Sequence, residues 1–157
     1  MITPVADEAA QRALDLPDYY TEILTWPTTT EALTGVTGVR LGEAVDALFM
    51  RAGFACEVNH LLVLSMLHAP VIAMPGEPTT WVFLTQARTV MRESTVAELM
   101  RLKVEWEPVG TTMPLPSADV LESEPRWLVP PDPARELPPW MAVVGAARRT
   151  SSLCGAW

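Results

Sequence analysis

"APVIAMPGEPTTWVFLTQ", residues 69–86, carries two short apolar runs on either side of a Pro-Gly-rich turn. The runs are β-branched or aromatic and bounded by Pro and Gly, the pattern of a β-hairpin. Side chains alternate faces along a strand, so Trp81 and Phe83 share one face while Val82 and Leu84 share the other. Both faces of the second run are therefore apolar. A strand of that kind is expected at the centre of its sheet.

Outward from the hairpin, "FACEVNHLLVLSML", residues 54–67, is long enough for a helix and apolar almost all round. Such a helix is buried on more than one side, in a layered fold or under a partner. "EAVDALFM", residues 43–50, reads as a short strand, and the Thr-rich "TTTEALTGVTGV", residues 28–39, as a loop into a strand. "DEAAQRALDLPDYYTEILTW", residues 7–26, reads as a helix broken at Pro17 and then a further helical turn or two. On the other side, "STVAELMRLK", residues 94–103, predicts a helix, with Thr95 and Glu98 as a capping box and Val96, Leu99 and Met100 as its stripe. "EPVGTTMPLP" and "PRWLVPPD" read as two short strands held to sheet edges by their prolines. "LPPWMAVVGAARR", residues 137–149, reads as a closing helix with its two arginines at the C-terminal end, where the macrodipole favours them.

This order predicts a single layered α+β (mixed α/β) domain, a short, mostly antiparallel sheet with flanking helices. The expected boundaries are an acidic N-terminal arm or helix over 1–16, the domain over 17–150, and an apolar tail, "SSLCGAW", over 151–157.

The composition bounds the function. The chain has 157 residues, 49% of them hydrophobic and 19% charged, which is globular and large enough for a core without staples. Its net charge of −8 argues against a general nucleic-acid binder, which gains affinity by neutralising phosphates. A local basic patch remains available at Arg88, Arg92, Arg101 and Lys103. The longest apolar run, residues 61–74, is broken by His68 and Pro70 and is short of the roughly 18 residues of a membrane span. "MITPVADEAAQ" lacks the basic and apolar regions of a secretory signal, and two cysteines make no disulfide framework, so a reducing cytoplasm is the expected setting. Scarce lysine beside abundant arginine and proline reads as the codon bias of a GC-rich genome.

Few residues suggest chemistry. There is no G-x-G-x-x-G or G-x-x-x-x-G-K phosphate loop and no G-x-S-x-G nucleophile elbow. Cys56 and His60 stand four apart, on one helix face, and would begin a metal site. With no further ligand at usable spacing, the expectation is a buried cysteine and an ordinary boundary histidine, and no metal. His68, at the helix-to-strand turn, reads as a helix C-cap. The scattered tryptophans read as core, except Trp157. Asp46 is a single carboxylate in the apolar run "EAVDALFMRAG", residues 43–53.

Several stretches together resemble a known family. "YYTEILTWPTTT", "VRLGEAVDALFMRAGFACEVNHLL", "APVIAMPGEPTTWVFLT", "GTTMPLPS" and "RWLVPPD" are similar, in that order, to segments of the N-terminal primase–polymerase domains of the archaeo-eukaryotic primase superfamily. The likeness is to the small stand-alone versions from GC-rich bacteria. It implies a primase–polymerase-like fold over residues 17–148. In active members a D-x-D pair and a later aspartate hold two metals, about 4 Å apart, and a histidine contacts the nucleotide. Asp46 matches the acidic strand, but Leu48 and Ala44 stand two positions to either side, and Glu43 falls on the opposite face. Thr111, Thr112 and Met113 stand where the histidine would fall.

The departures fall on the residues that would do the chemistry. The expectation is a non-catalytic primase–polymerase-like binding module, acting in regulation or assembly through protein contacts, with no cofactor. Asp46 is then a vestige of the catalytic site or a strand-end hydrogen-bonder. The partner is a protein or a second copy of the chain, to which Trp157 and the apolar tail would dock; no membrane is involved. One alternative is a nucleic-acid accessory protein whose Arg88, Arg92, Arg101 and Lys103 converge on a DNA-facing groove. Another is an enzyme of different chemistry, pairing Asp46 with His60 or His68.

Overall fold

The computed structural model describes residues 19–116 and 125–154. It is an α+β fold of seven strands and three α-helices in this region, preceded by a π-helical turn, Tyr19–Ile23. Strands β3 (Asp46–Arg51), β4 (Val71–Met74), β5 (Thr80–Thr85) and β7 (Arg126–Val129) form one sheet in the order β3-β5-β4-β7. Strands β1 (Thr28–Thr30), β2 (Thr37–Arg40) and β6 (Thr112–Pro114) form a second, in the order β1-β2-β6. Every pairing is antiparallel.

The expected hairpin is β4–β5, with Val71 opposite Phe83 and Ala73 opposite Trp81. Strand β5 is central, flanked by β4 and by β3, whose Asp46 lies opposite Thr85. Its alternation separates two cores. Phe83, with Leu48 and Met50 of β3, packs against Phe54, Val58 and Leu62 of α1 (Ala52–Leu64) and Val143, Val144 and Ala147 of α3 (Trp140–Cys154). Val82 and Leu84 face the other way, onto Val39, Met113, Tyr19, Tyr20 and Trp26. Helix α2 (Glu93–Arg101) adds Leu99 to the helical side. The layers run helices, four-stranded sheet, three-stranded sheet. A bulge on β7 puts Val129 opposite Val71 and Trp127 opposite Ile72, so these two side chains reach opposite cores.

Two positions require glycine. Gly42 adopts φ +106° in the turn between β2 and β3, and a Cβ on Gly38 would run into Thr112 on the paired strand. The prolines of β6 and β7 sit at or beside edge strands, as expected.

Several local readings differ. The Thr-rich stretch holds a strand of its own, β1, where a loop was expected. Helix α2 starts at Glu93, with Arg92 as its N-cap and no side-chain cap bond. Thr95 is therefore inside the helix and buried, and Glu98 reaches across to Arg148 of α3 at 2.7 Å, so no capping box forms. Met100 points to solvent, and Thr95 and Leu99 make the inward face. Helix α3 runs through Cys154, so Arg148 and Arg149 lie within it, and the first residues of the expected tail are its last turn. The arm over 1–16 and Trp157 lie outside the described residues. Among the described residues no helix is long and apolar enough to cross a membrane.

Candidate functional site

Asp46 opens β3 with its side chain on the helical side of the sheet, where it is fully buried. Arg88, three residues beyond its cross-strand neighbour Thr85, folds back over it. Oδ2 accepts from Arg88 Nε at 2.6 Å and from the Arg88 backbone N–H at 3.1 Å. Oδ1 accepts from Arg88 Nη2 at 2.7 Å and from the Ala47 N–H at 3.0 Å. A carboxylate has about four acceptor sites, and all four are used here. The pair is bidentate, the strongest geometry available to these groups.

The guanidinium is itself held. Nη2 also donates to the Glu107 carbonyl at 2.6 Å, and the Arg88 guanidinium carbon lies 5.4 Å from the centroid of the Trp140 ring. Trp106 meets Trp140 edge-on at 6.3 Å. The Trp140 Nε1 is buried without a hydrogen-bond partner among the described residues. The node joins β3, the segment after β5, the loop at residue 107 and the start of α3. Asp46 therefore neither reaches water nor offers a free lone pair, and it serves as a hydrogen-bond acceptor at the strand end.

The other sequence candidates disperse. Arg88 is withdrawn into the ion pair, its side chain 20% exposed. Arg92 precedes the first turn of α2, while Arg101 and Lys103 lie at its far end, about 13 Å along the axis. Cys56 and His60 are both exposed on α1, so the expected burial of Cys56 is corrected: the face of α1 that meets the sheet and α3 is formed by Phe54, Ala55, Val58 and Leu62. His68 is not a C-cap; Ser65 is, and His68 Nε2 lies 3.3 Å from the Pro130 carbonyl.

A cleft of about 620 Å³ opens on the opposite side of the four-stranded sheet from Asp46. Ile23–Trp26, Ala44 and Val45, His68 and Pro70, Gln86 and the loop 131–137 form its walls. Polar groups brace that loop against the body. Gln86 donates to the Leu137 carbonyl at 2.8 Å and Arg135 to the Met66 carbonyl at 3.3 Å, while within the loop Asp132 accepts from the Ala134 N–H at 2.9 Å. Beneath lies an aromatic cluster in which Tyr20 stacks on Trp26, and Trp127 Nε1 donates to the Tyr20 hydroxyl at 3.0 Å. Burial raises the Tyr19 hydroxyl above its usual pKa of 10.0, and the negative charge of Asp132 raises it further. The "RWLVPPD" stretch thus supplies both an edge strand and one wall of the cleft.

Nothing in the sequence marked this cleft, because its walls come from five separated segments. Asp46 is buried on the helical side of the sheet, His68 lines the cleft, and His60 is exposed on α1. Among the described residues no group of three or more His, Cys, Asp or Glu side chains is placed to hold a metal ion. No protein-family model, no curated protein and no solved structure matches this chain.

Proposed function

We propose that this chain is a non-catalytic binding module, resembling a primase–polymerase domain, that acts in regulation or assembly through protein contacts. The observation that carries the reading is the saturated Asp46 carboxylate. Two-metal phosphoryl transfer needs carboxylate lone pairs directed at the ions, and those of Asp46 are all directed at Arg88 and the backbone. Arg88, which would otherwise lead the basic patch, is consumed in the same pair. The cleft on the far face, lined by both apolar and polar side chains, is the surface we assign to the protein partner.

The test is incubation of the purified chain with primed DNA, nucleotides and Mg²⁺, alongside a salt titration of DNA binding. No incorporation and no salt-sensitive binding are expected. Mg²⁺-dependent incorporation that Asp46→Asn abolishes in a folded protein would overturn the reading. Salt-sensitive binding weakened by charge reversal at Arg92, Arg101 and Lys103 would replace it with the nucleic-acid accessory role.

A further inference from the structure

The ion pair and the cleft meet at the same two strand ends. Val45, which lines the cleft, directly precedes Asp46. Gln86, which also lines it, directly follows Thr85, the cross-strand neighbour of Asp46. Residues 86–92, between β5 and α2, belong to neither helix nor strand, so no ladder of backbone bonds fixes their course. Two sets of contacts fix it instead. Arg88 grips Asp46 through Nε, Nη2 and its backbone N–H. Gln86 grips the loop that walls the cleft, its backbone N–H donating to the Pro138 carbonyl at 2.9 Å and its side chain to the Leu137 carbonyl at 2.8 Å. The same loop runs on into α3, whose first residue, Trp140, lies under the Arg88 guanidinium.

We infer that the Asp46–Arg88 pair is the latch of the cleft, although neither residue lines it. The pair holds the strap 86–88 in the position from which Gln86 ties down the 137–138 end of the loop, and releasing the pair frees that end. The other end has ties of its own, His68 Nε2 lying 3.3 Å from the Pro130 carbonyl and Arg135 donating to the Met66 carbonyl. The loop is thus hinged near residues 130–135 and latched at 137–138. Residues 133–136 are exposed, so the loop opens without unfolding either core. By linkage, an occupant that binds the closed cleft more tightly than the open one also tightens the pair. Arg88 is then a positioning residue for the cleft, whatever the cleft binds.

The test is residue-resolved amide hydrogen exchange on the full chain, with tryptic cleavage after Arg135 as a second readout of the loop. Arg88→Lys keeps the positive charge but loses the planar fork that engages both carboxylate oxygens. In that variant the amide at position 86 is expected to exchange about tenfold faster, the factor for losing one charge-assisted hydrogen bond, and cleavage after Arg135 is expected to rise with it. The amides of Glu31 and Gly35, bonded within the β1–β2 turn, are expected to keep their rates. Gln86 is exposed, so Gln86→Ala is expected to keep the fold even where Arg88→Lys does not, and to speed the same exchange and cleavage. The two substitutions together are expected to add little to either alone, since both act through one strap. Unchanged exchange and cleavage in Gln86→Ala or in folded Arg88→Lys would overturn the inference. So would an equal rise at Glu31 and Gly35, or full additivity of the two substitutions.

Discussion

At the scale of the residue, Asp46 shows how a buried carboxylate can be fully hydrogen-bonded and so be unavailable. Burying a lone charge is costly, and the cost falls when the charge is paired and every lone pair is filled. Removing either partner strands the other. Asp46→Ala is expected to cost about 3–5 kcal/mol, because Arg88 is left above Trp140 without its counter-ion. Arg88→Ala is expected to cost a similar amount through the buried carboxylate. Urea unfolding of both single variants and the double variant forms a cycle, and the double variant is expected to lose clearly less than the sum. Additivity within about 0.5 kcal/mol would show that the two groups do not act as a pair. In the sequence, Asp46 was legible as a vestige of a catalytic site or a strand-end hydrogen-bonder. Arg88 was not legible as its partner, because the two are 42 positions apart and meet only once β3 and β5 pair with Asp46 opposite Thr85. Cys56 was misread for a related reason: an almost wholly apolar helix gives no clue to which of its faces is covered.

At the scale of the element, side-chain periodicity was a better guide than capping chemistry. The β4–β5 hairpin, α1 and the closing helix lie where their apolar runs placed them, because those runs have nowhere to go but the core. The start of α2 was misread because Thr95 and Glu98 have capping-box spacing but are used in tertiary contacts instead, the threonine buried and the glutamate bound to Arg148. The β1 strand was hidden in a threonine-rich stretch in which residues 35 and 38 are glycine, a composition that also suits turns. The true N-cap of α2, Arg92, offers no side-chain acceptor to the first turn, and its positive charge opposes the helix dipole. Arg92→Asp corrects both faults and is expected to raise stability by about 1 kcal/mol, read as a higher urea midpoint with unchanged slope. A loss of stability would mean that Arg92 has a structural partner that outweighs the cap.

At the scale of the whole molecule, the question is whether two cores on one sheet behave as one folding unit. The tryptophans sample both sides, Trp26 and Trp127 in the core against the three-stranded sheet, and Trp106 and Trp140 in the core under the helices. Strand β5 contributes Phe83 to one core and Val82 and Leu84 to the other, all fully buried, and its backbone pairs with β3 and β4. A cavity on either face therefore weakens the ladder on which the other core depends. Phe83→Ala is expected to cost about 3–5 kcal/mol and Leu84→Ala about 2–5 kcal/mol. The sharper expectation concerns cooperativity. In either variant, fluorescence from the Trp26–Trp127 side and from the Trp106–Trp140 side, separated by Trp→Phe replacement of every other tryptophan, Trp81 and Trp157 included, is expected to give coincident urea transitions. If β5 merely separated two independent layers, Leu84→Ala would shift the Trp26–Trp127 transition alone and leave the helical side unfolding at its original midpoint. Coincidence would mean that the central strand first identified by its two apolar faces also couples the two cores.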